Sequence, residues 1–168
     1  MLITSLLMAM HTAMTAPTVT PVVDPATLLP IRPAIKAAAS LTVEPDYLAR
    51  ALAAQAAGDL ETARREYVVA VALDRDAGRV PAEAAYGLAL VLNEQGKYRQ
   101  GAQVLESLAN DASAKHDDET EARALLDALY LNSRAHRPLQ ARDNYERLTV
   151  LAKSPAVSPA LRKRINAV

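Results

Sequence analysis

The chain has 168 residues, 51% of them hydrophobic, with 19 Lys and Arg against 19 Asp and Glu and a formal net charge of zero. One packed domain fits that length and apolar content, whereas disorder throughout does not, and balanced charge excludes the broad basic field that a phosphate backbone demands, so no nucleic-acid partner is expected. The absence of Cys removes disulfides, thiolate catalysis and Cys-ligated zinc, and the absence of Phe and Trp beside abundant Ala, Leu and Val favours closely approaching helices over a β-sandwich or barrel.

Residues 1–16 open with MLITSLLMAMHTAM, which holds all four Met and no charged side chain, followed by the small residues Thr15 and Ala16. This apolar stretch is too short to span a bilayer as a helix and is broken by Thr4, Ser5, His11 and Thr12; it resembles a secretory signal peptide, although the first basic residue is Arg32. Export to the periplasm is the expectation, with the cytoplasm as the alternative if the segment is an uncleaved tail, and no integral membrane span is expected. Residues 17–40 carry Pro17, Pro21, Pro25, Pro30 and Pro33, each removing an amide donor and pushing its predecessor toward extended geometry. They read as an extended linker or, more sharply, as a docking peptide for a Pro-reading domain. Within them, Ala34 to Ser40 suits a short helix, either packed on the helices C-terminal to it or loose.

Residues 41–168 read as helical. Pro45 and Asp46 suit a first turn, giving a helix to Ala57; Gly58 breaks it and Asp59 caps a second helix, Leu60 to Leu73. Asp74 to Val80, with Gly78, reads as a loop. Pro81 opens a third helix reaching Gln95, and Gly96 turns the chain into a fourth, Tyr98 to Asn110. After the loop DASAKH, the carboxylates Asp117, Asp118, Glu119 and Glu121 start a fifth helix that ends near Arg134, His136 and Arg137, with both ends opposing the helix dipole favourably. Pro138 starts a sixth, ending near Lys153, and Ser158 with Pro159 caps a last one, Ala160 to Ala167. There Leu161 and Ile165 share one face, so the helix can cap an open end, while Arg162, Lys163 and Arg164 read as a solvated basic terminus.

One local pattern recurs: a turning residue, a small residue five positions on and a bulky residue four further. It is carried by Gly58, Ala63 and Tyr67, by Gly96, Gly101 and Leu105, and by His136, Ala141 and Tyr145, at spacings of 38 and 40 residues. Such self-similarity marks stacked helix pairs. With Ala51, Gly58, Ala63, Tyr67 and Ala70 in the first unit, Leu88, Ala89, Gly96, Tyr98, Gly101 and Leu105 in the second, and Ala141 and Tyr145 in the third, the chain resembles the tetratricopeptide repeat (TPR) family. The resemblance spans Glu44 to Lys153. It implies an all-α TPR-like α-solenoid of about three antiparallel helix hairpins plus a C-terminal capping helix, with Ala63, Gly101 and Ala141 at close crossings and Tyr67, Leu105 and Tyr145 filling the wedge before the next hairpin. The departures are Arg50, Ala54, Leu108, Leu148, His136 for Gly at the third turn, and Arg75 where the first unit's closing Pro would stand. Spacings above the family's 34-residue unit require longer loops, expected at Asp74 to Val80 and Asn110 to His116.

In that family the first helix of each pair lines a concave groove that holds a peptide or a partner's helix. The corresponding positions here are Leu48, Leu52 and Gln55, then Tyr86, Leu90 and Asn93, then Arg123, Leu126, Tyr130 and Arg134. Leu48, Leu52, Leu90 and Leu126 equally suit interior packing. The set by which some members grip a C-terminal carboxylate is not matched, since Leu48, Leu52 and Gly87 occupy its places and Arg123 agrees where Asp127 does not. Catalysis finds no motif: His11, His116 and His136 share no helical spacing, and no phosphate-cradling loop or nucleophile elbow occurs, so no cofactor or metal is expected. The resemblance implies a noncatalytic adaptor or scaffold for a protein partner. The alternative is a structural helical module that self-associates without a peptide ligand, and oligomeric state is open.

Overall fold

The computed structural model describes residues 46–168, so the apolar segment, the Pro-rich stretch and the short helix expected at Ala34 to Ser40 lie outside the described residues. Among those described there are seven α-helices and no strand: α1 (Tyr47–Ala56), α2 (Leu60–Asp76), α3 (Ala82–Glu94), α4 (Tyr98–Ser113), α5 (Asp118–Arg134), α6 (Pro138–Leu151) and α7 (Pro159–Ile165). None of these is long and apolar enough to cross a membrane.

Short polar side chains start four of the helices by accepting from otherwise orphaned backbone amides. Asp46 accepts from Ala49 N at 2.9 Å, Asp59 from Thr62 N at 3.0 Å, Asp117 from Thr120 N at 3.1 Å and Ser158 from Leu161 N at 3.3 Å. The Thr62 amide also holds the Asp59 carboxyl below its usual range. Pro138 stands at the first position of α6, where no amide is missed. Each of the first five interhelix turns is closed by one residue of left-handed backbone: Gly58, Gly78, Gly96, His116 and His136, with φ between 53° and 76°. At each, the next residue's amide reaches back to a carbonyl of the preceding helix, from Asp59 to Ala54, Arg79 to Asp74, Lys97 to Leu92, Asp117 to Ala112 and Arg137 to Asn132, at 2.8–3.0 Å. This is the Schellman closure. Two His therefore do the turning that Gly does elsewhere.

The long loops expected after Leu73 and Asn110 are not formed. Helix α2 runs to Asp76 and α4 to Ser113, so the spacing beyond 34 residues goes into helix length. The reason is mutual support between the two late turns: Arg75 donates to Asp111 at 2.8 Å and to Ser107 at 2.7 Å, and Ala112 is fully buried. The place of a helix-closing Pro thus holds a residue that must stay helical. Arg50 is explained in the same way, since its guanidinium donates to Glu66 of α2 at 2.8 Å.

Packing runs mainly between chain neighbours, from α1 against α2 through to α5 against α6. In addition α1 meets α3, α3 meets α5, and α7 lies against α5. The contacts are built on small residues: Ala51, Ala63, Ala84, Ala85, Ala102, Ala109, Ala122, Ala124 and Ala128 are all fully buried. A Cβ on Gly101 would press on the end of the Leu131 side chain and on the Ala89 carbonyl, so the helices approach closely there. Tyr67 is buried, with its ring lying over Gly87 and its hydroxyl donating to Gln55 at 2.8 Å.

The third unit departs from the other two. Leu148 is buried, but Ala141 is only half-buried and Tyr145 is 44% exposed, so Tyr145 does not fill a wedge. The residues after α6 turn toward α5 instead. Val157, Leu161 and Ile165 are buried, Ser154 donates to Asp118, and the Ser158 amide and hydroxyl both donate to Glu119 at 2.7 and 3.0 Å. The carboxylates at the start of α5 thus anchor the approach to α7 as well as opposing the dipole. Polar groups join α4, α5 and α6: Glu106 accepts from Asn132 at 2.7 Å and Asn144 at 3.3 Å, Arg137 donates to Asn132 at 2.9 Å, and Arg147 donates to Glu121 at 2.6 Å and Asn110 at 3.0 Å.

Candidate functional site

Helices α1, α3 and α5 carry the positions to which the family resemblance assigns a groove. On α1, Leu48 is half-buried against the core, Leu52 is exposed, and Gln55 is engaged by the Tyr67 hydroxyl. On α3, Tyr86 and Asn93 are half-buried and Leu90 is 49% exposed. On α5, Arg123 is exposed and leans toward Glu119 at 3.6 Å, Tyr130 is 56% exposed, Arg134 is exposed, and Leu126 is buried.

Four of these residues come together. A cleft of about 330 Å³ opens between α3 and α5, lined by Tyr86, Leu90, Asn93 and Tyr130 with Asp127 and, at its apolar floor, Ala89, Leu105 and Leu131. Leu48, Leu52, Gln55, Arg123, Leu126 and Arg134 do not line it. Leu126 instead lines a hollow between α5 and α7, opposite Arg164 and Val168.

The polar groups of the cleft are unevenly satisfied. Among the described residues the Tyr86 hydroxyl and the Asn93 Oδ1 are buried without a hydrogen-bond partner, an arrangement that costs stability. Burial, and then the nearby Asp127 charge, push the Tyr86 hydroxyl pKa well up. Asp127 is itself raised by burial, with Arg164 and Arg123 pulling the other way; the Arg164 guanidinium stands 3.7 Å from it. At the end of α5, Arg134 donates to Tyr98 at 2.6 Å and to Tyr130 at 3.0 Å, and its guanidinium lies 4.3 Å from the Tyr98 ring centroid. The hydrogen bond to Tyr130 raises the Arg134 pKa further, so this cation is fixed in place and permanently charged.

Sequence reasoning does not assign Asp127 or Tyr98 to this surface. Asp127 is visible as a mismatch at a position expected to be basic; Tyr98 meets Arg134 from a different helix, and no local spacing announces that. Among the described residues no group of three or more His, Asp or Glu gathers in a way that could hold a metal ion. His116 and His136 serve as turn residues.

A second cleft, about 470 Å³, lies between α2 and α4 over Leu88 and Leu92 of α3. Its charged rim is already matched within the chain, Arg64 by Glu61 at 2.9 Å and Arg75 by Asp111 at 2.7 Å. Comparison with protein-family models, curated proteins and solved structures yields no match to this chain.

Proposed function

We propose that residues 41–168 form a TPR-like α-solenoid of three helix hairpins, α1 with α2, α3 with α4 and α5 with α6, capped by α7. It acts as a noncatalytic adaptor that holds a peptide or helix of a protein partner along α1, α3 and α5, in an exported, periplasmic setting. The observation that carries this reading is the α3–α5 cleft, where the Tyr86 hydroxyl and Asn93 Oδ1 are buried yet unpartnered beside the exposed Leu90 and Tyr130. A partner's main chain meets both needs, since each peptide group offers one donor and one acceptor. Contacts of α3 with both α1 and α5 support the curved stack, because the first helices of successive pairs then approach one another along its inner side.

The test is a photo-reactive residue at Leu90 or, as control, at Val150, which is 68% exposed on α6. Irradiation in cells is expected to give an adduct with a second polypeptide from Leu90 and none from Val150. Adducts from Val150 alone would contradict the groove.

Self-association is the second reading, favoured by the half-buried Ala141 and exposed Tyr145, whose counterparts Ala63 and Tyr67 are buried. In that case the adducts join two copies of this chain, and Tyr145→Glu returns them to monomers in sedimentation.

A further inference from the structure

We propose that the α3–α5 cleft selects an extended peptide segment carrying a Lys or Arg side chain, which Asp127 receives while Tyr86 and Asn93 bond the segment's main chain. This rests on the groove reading and names the chemistry of its ligand.

Three features lead there. The first is charge. Among the described residues Asp127 is the only acidic one lining the cleft, which it shares with apolar Ala89, Leu90, Leu105 and Leu131. An ammonium or guanidinium that takes the place of Arg164 meets there an acceptor whose surroundings exclude part of the water. Arg134, the fixed cation of the same helix, stands seven residues further on, about 10 Å along the axis, and is held by Tyr98 and Tyr130.

The second is that Asp127 already engages a cation loosely. Arg164 of α7 stands 3.7 Å away, with the two side chains 60% and 44% exposed. Exposed pairs of this geometry contribute little, and Arg123, the other nearby cation, leans to Glu119. Arg164 thus occupies the place of the ligand's cation without the contacts that would hold it. A ligand Lys or Arg entering along the cleft lays its methylene stem against Leu90, whereas Arg164 reaches Asp127 from the α5–α7 hollow.

The third is the pair of unmatched buried groups. A hydroxyl and an amide seven residues apart on α3, about 10 Å along its axis, each take one main-chain group of an extended segment running beside that helix. Together the groups specify main chain plus a cationic side chain, the reverse of an acidic tail.

The experiment uses the full chain and fluorescence anisotropy with labelled heptapeptide pools, acetylated and amidated at their ends, randomised except for a central Lys, Arg, Gln or Glu. The Lys and Arg pools are expected to bind about tenfold tighter than the Gln and Glu pools. Asp127→Asn, isosteric and on a half-exposed side chain, should bring the Lys, Arg and Gln pools within about twofold of one another, and Arg164→Gln should tighten the Lys and Arg pools about threefold. Unchanged melting temperatures for both variants confirm that folding is not what changed. Binding of all pools without preference for a cation, or a preference that survives Asp127→Asn, would overturn this inference and leave the groove reading standing. Failure of every pool to bind the unmodified chain would overturn both.

Discussion

Gly87→Ala is expected to lower the unfolding free energy by about 2 kcal/mol, although Ala is the better helix former by about 1 kcal/mol at an interior helix position. A Cβ at residue 87 falls within the ring of Tyr67, and that ring has nowhere to go: it is 1% exposed, and its hydroxyl is tied to Gln55. The variant must swing the ring out, losing an aromatic contact and the hydrogen bond, or push α3 away from α2. Urea unfolding followed by circular dichroism measures the loss. The same substitution made in a Tyr67→Leu background should change sign and stabilise by about 1 kcal/mol, because only the helix-propensity gain is left. A stabilising Gly87→Ala in the otherwise unmodified chain would mean that Tyr67 does not lie over this helix.

Arg147→Met is expected to destabilise by about 2 kcal/mol, more than a surface ion pair would, because it strands its partner. The Glu121 side chain is only 8% exposed and receives Arg147 at 2.6 Å, while the Arg147 side chain, 39% exposed, also reaches Asn110. Removing the cation leaves a carboxylate in a place prepared for a pair. Glu121→Leu combined with Arg147→Met should recover most of the loss, since no charge then remains to be matched. A double variant as unstable as Arg147→Met alone would show that packing by the Arg stem, and not its charge, holds α5 to α6.

Much of the helical layout is legible because it is local chemistry. Asp59 and Ser158 are caps whose side chains need only reach three residues ahead, Asp46 and Asp117 open their helices but do so as caps just outside the first turn, and Gly58 and Gly96 are turns that need no Cβ. The helix ends expected after Leu73 and Asn110 fall short because the support that extends both helices is not local: Arg75 and Asp111 hold each other from 36 residues apart. The left-handed turns recur at Gly58, Gly78, Gly96, His116 and His136, and of these only His116 is hidden, since the repeat pattern already marks His136 as a turning residue. Tyr145 obeys the same local pattern as Tyr67 and ends exposed, because α7 packs on α5 and no helix with a vacancy like Gly87 lies over it.

At the site, Tyr86, Leu90, Asn93 and Tyr130 follow from helical register, since residues at such spacings share a face whatever the face is for. Whether a Leu faces inward is a tertiary matter, and register could not separate the exposed Leu90 from the buried Leu126. The unmatched state of Tyr86 and Asn93 depends on what α5 fails to offer them across the cleft. That too has no signature along the chain.

Under the proposed reading, hairpins packed through small residues leave an open cleft for a ligand on one side. Because the chain has no Cys, single substitutions report it cleanly. Alkylation rates of Ala63→Cys, Leu90→Cys and Val150→Cys in native buffer are the direct measurement. Leu90→Cys and Val150→Cys should react within about tenfold of a free peptide thiol and Ala63→Cys at least about a thousandfold slower, opening being needed there, with a Lys-bearing peptide protecting Leu90→Cys alone. Leu90→Cys as slow as Ala63→Cys in the free protein, or the peptide protecting Val150→Cys instead, would contradict it.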